Sequence, residues 1–222
     1  MFRGQERPFP LRPSVGRELR PRPRDTTSPE VALLRREKSA IEEFRREARA
    51  YVTSEQTEIE WLALAQHHGV PTRLLDWTWN PLSALYFAVD PARDDAGEDA
   101  VLYAIGTGTV RWWEERGANW DHTNQLRESP PFNPGSLDHV RAYTPPKFSP
   151  RLLAQAAVLT MHALPWQALE DERMTRITIP KMAKNGFREI LFSFHAMPKT
   201  LFPDLDGLGA TIRQWWFRRD LW

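Results

Sequence analysis

Apolar residues recur at helical spacing through SPEVALLRREKSAIEEFRREARAYV. Leu33, Leu34, Ile41, Phe44, Ala48 and Tyr51 step by threes and fours, with Glu37 as the one polar residue in the stripe, the pattern of a helix with one buried face. Ser28 stands where an N-cap belongs, Pro29 suits the first turn and Glu30 suits the helix dipole. A second helix is predicted over TEIEWLALAQHH, stopped by Gly69 and Pro71. A third covers NPLSALYFAV, with Asn80 as cap and Pro81 at the first position. AVLYAI and TRITIPKM read as strands from their β-branched and aromatic content. The alternation in RLLAQAAVLTMH allows a strand, REILFSFHAM fits a helix or a strand, and KTLFPDLDGLGATIRQWWFRRDLW opens on a turn and ends in a helix. Residues 1–25 read as irregular, TRLLDWT as extended or turn-like, and residues 106–150 as loops with a short helix around Arg111 to Arg116.

No repeat and no Gly/Ser-rich linker divides the 222 residues. The expected fold class is therefore mixed α/β of the α+β kind: a single domain with a central, mostly antiparallel sheet flanked by helices. There is no cysteine, which excludes a disulfide framework, a thiolate zinc site and a cysteine nucleophile. No apolar run approaches the length of a membrane span, and MFRGQERPFP lacks the apolar core of a signal peptide. The expectation is a cytoplasmic protein with no membrane partner.

Net charge is +1, but residues 1–25 carry seven arginines against Glu6, Glu18 and Asp25. The other end, RQWWFRRDLW, interleaves arginines with Trp215, Trp216 and Phe217. Such mixing can bind single-stranded nucleic acid by charge and stacking. It also fits a helix whose tryptophans face the core while its arginines stay wet. The second reading is expected, with Trp215 and Trp216 not both facing solvent.

His67 and His68 are adjacent at a predicted helix end, so they do not face one direction and make a poor metal site; no metal is expected. Arg73 and Asp76 lie among Leu74, Leu75 and Trp77. They form either a structural ion pair or a guanidinium fork offered to a ligand's phosphate or carboxylate. Thr78 and Asn80 precede a helix and read as capping residues, with anion binding at that N-terminus as the alternative. Asp204 and Asp206 read as turn and N-cap chemistry.

Three strings, FRGQ at Phe2–Gln5, QHHGVPTRLLDWTWNPLSALYFA at Gln66–Ala88 and LFPDLDGL at Leu201–Leu208, resemble the FRG domain family, and their order implies an FRG domain over residues 1–222. A looser resemblance is to ADP-ribosyltransferases, in the order Phe2-Arg3-Gly4, then Thr72 or Thr78, then Ala84 and Phe87. That resemblance implies an ADP-ribosyltransferase-like fold and a nucleotide site using NAD as substrate. It implies NAD-binding roles for Arg3, Gly4, Thr72, Thr78 and Phe87. Independently of it, Arg3, Gln5, Thr72, Arg73 and Asp76 are polar side chains inside otherwise apolar strings and are expected to line one nucleotide pocket, with His68 and Gln155 at its rim. Arg3 would also serve catalysis, together with a late residue that stabilises an oxocarbenium-like sugar. Gln155 aligns best with that late position but carries no charge, and Glu189, then Glu172, are the fallback carboxylates. The acceptor would be a protein or a nucleic acid. The rival classes are a nucleotide- or nucleic-acid-binding module without turnover and a protein-interaction domain.

Overall fold

A computed structural model describes residues 1–20, 27–90, 97–112 and 140–217. In chain order the elements are β1 (Phe2–Gln5), α1 (Ser14–Arg17), α2 (Pro29–Ala48), α3 (Glu58–His67), β2 (Leu74–Thr78), α4 (Pro81–Val89) and β3 (Ala100–Ile105). Then follow β4 (Arg111–Trp112), β5 (Val140–Tyr143), α5 (Pro150–Ala154), β6 (Ala157–His162), β7 (Met174–Ile179), α6 (Lys184–Ser193), α7 (Pro198–Leu201) and α8 (Leu205–Phe217). The strands form one seven-stranded sheet in the order β4-β5-β6-β2-β1-β3-β7. All neighbours are antiparallel except β4 and β5. The mixed α/β class and the mostly antiparallel sheet expected from the sequence are what the chain forms. Among the described residues no helix is long and apolar enough to cross a membrane.

The caps act where the sequence places them. Ser28 accepts from the Val31 N–H at 3.4 Å, and Asn80 Oδ1 accepts from the Leu82 N–H at 2.9 Å. Thr57 and Glu60 close a capping box at the start of α3. Asp204 Oδ1 takes the Gly207 N–H at 2.7 Å, so the first carboxylate of LFPDLDGL caps α8.

Several segments depart from expectation. Residues 2–5 are a strand, because Phe2–Gln5 pair residue for residue with Ala104–Val101 of β3; local composition carries no trace of that partner. RLLAQAAVLTMH is a short helix followed by a strand, divided where Ala156 takes a left-handed φ of 47°. REILFSFHAM resolves as helix α6 through Ser193, and Arg111 and Trp112 are strand rather than helix. The remainder of that expected helix, residues 113–116, lies outside the described residues. Trp215 stacks on Phe192 with ring centroids 4.7 Å apart, yet it keeps 40% exposure and Trp216 keeps 68%. The expected burial of this pair is therefore overturned: α8 presents Leu205, Leu208, Ile212 and Trp216 outward.

Alternation along the strands divides the core. Leu75, Trp77, Val101, Tyr103 and Val158 meet on one face of the sheet. Leu74, Leu159 and Met161 meet Ile59 and Leu62 of α3 on the other. Next to them α4 lies directly on β1: a Cβ on Gly4 would sit 1.8 Å from the Ala84 carbonyl oxygen.

Arg73 at the entry to β2 is buried with Glu37, the polar residue in the α2 stripe. Glu37 Oε1 takes the Arg73 N–H at 2.8 Å and Oε2 takes its Nε–H at 2.8 Å, with the guanidinium NH2 also on Oε2. The ion pair read as Arg73–Asp76 is thus Glu37–Arg73, since Asp76 sits on the opposite side of Leu75 and is exposed. Breaking a buried pair strands a charge, whereas replacing both members removes the charge altogether. Glu37→Ala is expected to lower the free energy of unfolding by about 3–5 kcal/mol, and Glu37→Met with Arg73→Met to recover most of that loss. Urea titration of the three proteins checks it.

Candidate functional site

The two central strands, β1 and β2, share a single register pair, Phe2 with Thr78. On their outer edges β1 makes four pairs with β3 and β2 makes five with β6. The ladder therefore stops in the middle of the sheet, and beyond Phe2 the strands part. A cleft of about 300 Å³ opens there, at the lower end of the size range of ligand pockets. Arg3 reaches across the gap and donates from its guanidinium to the Asp76 main-chain oxygen at 2.6 Å, an acceptor that continued strand pairing would have used. The segments FRGQ and TRLLDWT thus meet at one pocket.

The cleft is lined from β1 by Phe2 through Glu6, from β2 by Asp76 to Thr78, and from α4 by Phe87. Gln66 and His67 of α3, Phe148, Arg151 and Gln155 around α5, and Arg17 also line it. Three arginines (Arg3, Arg17, Arg151) and two acidic residues (Glu6, Asp76) are thus among its lining. Arg151 lies over the Phe202 ring at 4.7 Å and has no carboxylate partner among the described residues.

Asp76 is oriented by a chain of hydrogen bonds. The Leu74 N–H donates to Thr72 Oγ1 at 3.2 Å, and that hydroxyl donates to Gln66 Oε1. The Gln66 amide, its direction thereby fixed, donates from Nε2 to Asp76 Oδ1 at 2.8 Å. The other Asp76 carboxylate oxygen makes no hydrogen bond among the described residues. Behind the cleft wall, the Trp77 indole N–H donates to Thr160 Oγ1 at 2.9 Å, which lies 3.0 Å from Nε2 of His162.

Of the residues singled out from sequence, Arg3, Gly4, Gln5, Asp76, Thr78, Phe87 and Gln155 line this one cleft. Thr72 lies beneath it, committed to Gln66, and Arg73 faces away into its pair with Glu37. His68 is exposed and stacks on Phe44 with centroids 6.3 Å apart; its neighbour His67 lines the cleft instead, because successive helical residues point in different directions. Thr78 does not cap α4: its hydroxyl donates to the Gln155 carbonyl at 2.6 Å and accepts the Asn80 N–H at 2.9 Å. The Gln155 side chain donates to the Leu201 carbonyl at 3.1 Å, tying this wall to LFPDLDGL. Glu189 is exposed on α6 and Glu172 exposed before β7, and neither lines the cleft. The carboxylates that do are Asp76 and Glu6. Sequence reasoning missed Glu6, Gln66, Phe148 and Arg151 as lining residues, although Gln66 stands inside the QHHG string and Arg151 precedes Gln155 at the spacing of that late segment.

Fold and site together define an α/β protein with a polar, arginine-bearing cleft opened in the centre of its sheet. Residues 1–97 match the family model of the FRG domain, and this matched segment supplies both strands of the split and the caps of α3 and α4. No curated protein and no solved structure matches the chain.

Burial, and secondarily the charge of Arg3, lowers the His162 pKa to about 3. The folded protein therefore holds this ring neutral where an unfolded chain would protonate it. Stability from this group is complete above the ordinary pKa of 6.5 and is lost progressively as pH falls from there towards 3. The slope is at most about 1.4 kcal/mol per pH unit. In denaturant titrations between pH 6.5 and 4, His162→Gln is expected to flatten the pH dependence of the unfolding free energy by close to one proton relative to wild type.

Proposed function

We propose that the cleft binds a nucleotide, that this ligand is NAD, and that the protein cleaves it at the nicotinamide–ribose bond, as an ADP-ribosyltransferase-like enzyme or NAD glycohydrolase. The observation that carries this reading is Asp76: a carboxylate held by Gln66 inside a cleft that guanidinium groups line. In that reading Arg3, Arg17 and Arg151 take the phosphates. Phe2, Phe87 and Phe148 offer apolar surface to the rings. The C1′–N bond breaks with its electron pair passing to the pyridine nitrogen, so nicotinamide leaves neutral. Asp76 stabilises the oxocarbenium-like ribose, and water or an acceptor hydroxyl adds to C1′ with loss of a proton. This moves the carboxylate role from Gln155 and Glu189 to Asp76. It leaves Gln155 as the wall that ties Thr78 to Leu201.

We further propose that the functional unit is the whole chain rather than residues 1–97, acting in the cytoplasm. The strand order supports it: β1 and β2 lie between β3 on one side and β6 on the other, so the matched segment has no complete sheet of its own. The exposed aromatic end of α8, with Trp216 and Phe217 open beside Arg213, favours a second reading, in which single-stranded nucleic acid stacks on that face. Affinity for oligonucleotides falling steeply with salt would favour it.

Incubation of the purified protein with NAD and chromatography for nicotinamide tests the first reading. Wild type is expected to release nicotinamide and to gain thermal stability with the non-cleavable product ADP-ribose. Asp76→Asn is expected to keep that thermal shift and to lose roughly 100-fold or more in turnover, the scale of losing one transition-state electrostatic partner. Turnover unchanged in Asp76→Asn would refute the assignment. Absence of any shift with millimolar ADP-ribose or NAD would refute the cleft as a nucleotide site.

A further inference from the structure

We infer that Gln5 is the specificity residue of the cleft and that it selects a ring bearing a primary carboxamide. The inference rests on the nucleotide reading above and names which part of the ligand is recognised and by what.

Gln5 is 4% exposed and lines the cleft. Its Oε1 is buried and has no hydrogen-bond partner among the described residues. Buried amide oxygens are nearly always satisfied, and an orphan in a cleft calls for an explanation. The other two glutamines of the cleft are not in this condition. Gln66 uses both ends of its amide, on Thr72 and Asp76, and Gln155 donates to Leu201. Among the glutamines of the cleft, Gln5 is the one with a buried amide atom left without a hydrogen-bond partner among the described residues.

Its position is also rigid. Gln5 is paired with Val101 in the β1–β3 ladder. The preceding Gly4 is pressed against α4, and the following Glu6 carbonyl accepts from the buried Lys184 Nζ at 3.0 Å. The main chain on both sides is thus fixed, while the terminal amide torsion of a glutamine is soft. Rotation about it presents either amide atom to the cleft without moving the backbone. A primary carboxamide carries one donor face and one acceptor in a single plane, so it pairs with the Gln5 amide through two hydrogen bonds. A carboxylate offers acceptors only and sets one of them against Oε1. A methyl ketone offers an acceptor and no donor, leaving Oε1 as it was. Sites that hydrogen-bond a ligand group reject analogues lacking it, because the buried protein group is again left unpaired.

The test compares three pyridines with no glycosidic bond to cleave (nicotinamide, nicotinate and 3-acetylpyridine) with ADP-ribose as a probe that lacks the ring. Calorimetry or thermal shift is measured on the full chain, wild type and Gln5→Met. Wild type is expected to bind nicotinamide at least tenfold more tightly than either analogue. Gln5→Met is expected to melt no lower than wild type, since it carries no buried amide to satisfy. It should retain ADP-ribose binding and lose the preference among the pyridines. Equal affinity of wild type for nicotinamide and 3-acetylpyridine, or a preference that survives in Gln5→Met, overturns the inference. If ADP-ribose still binds in that case, the nucleotide reading stands and the role of Gln5 falls alone. If neither ADP-ribose nor nicotinamide binds wild type, both fall. The wild-type comparison decides the matter should the variant not fold.

Discussion

The structure turns on an interrupted ladder. Two antiparallel neighbours in the middle of a sheet would ordinarily pair along their length, because each unpaired main-chain group left dry is costly. Here β1 and β2 meet only at Phe2 and Thr78. The pair is held at that end by α4: Thr78 accepts the Asn80 N–H, Asn80 caps the helix, and the helix packs on Gly4 of β1 with no room for a side chain between. From this fixed corner the strands diverge, each secured on its far side by a full set of partners. The Arg3 guanidinium then serves the Asp76 carbonyl in place of a strand neighbour. The cleft is the consequence of this arrangement, and its walls are as rigid as the two half-sheets.

The string from Gln66 to Asn80 sets both halves of that arrangement. Its charged residues have opposite fates according to strand alternation and what lies opposite. Arg73 enters β2 under α2 and is neutralised by Glu37, which pins the beginning of the strand. Asp76, further along, falls where β1 has already left, so it meets the cleft and the Gln66 amide rather than a pairing strand. Thr72 serves both purposes: it accepts from Leu74 within the strand and sets the direction of the Gln66 amide. The order of residues in this string is therefore an order of hydrogen-bond roles.

How far the sequence could be read follows from the range of each signal. Helices α2, α3 and α4 were legible because their stripes and caps are local, and β3 and β7 because β-branched residues concentrate there. Strand β1 was not legible from composition, since FRGQ has no strand character apart from the pairing that β3 supplies. The division between α5 and β6 at Ala156 was hidden because a left-handed alanine has no signature comparable to glycine. Within the site, Arg3, Gln5 and Asp76 stood out as polar residues in apolar strings, whereas Phe148 and Arg151 reach the cleft only through tertiary folding. Glu37 is the instructive case. A lone carboxylate in an apolar helical stripe announces a buried partner, and pairing it with the arginine in TRLLDWT was within reach of the sequence alone. His67 and His68 mark the opposite limit, because composition cannot say which of two adjacent helical residues faces a cleft formed elsewhere.

The sign pattern of the lining bears on what the cleft suits. A site for a polyanion alone gains from every added cation and loses from every carboxylate. This one sets Asp76 and Glu6 among Arg3, Arg17 and Arg151, in a chain whose total charge is only +1. Burial, then the neighbouring His68 and Arg151, lowers the pKa of His67, with Asp76 opposing, so the site favours its neutral ring. A carboxylate positioned by a dedicated hydrogen-bond chain is a poor choice for holding phosphate and a good one for facing a cationic ring or a sugar on which positive charge develops. The proposed ligand carries both signs, a pyridinium and a pyrophosphate joined through ribose. The mixed lining matches that distribution better than it matches a free phosphate or a nucleic-acid backbone, and for this reason the α8 face rather than the cleft is the candidate for any nucleic-acid contact.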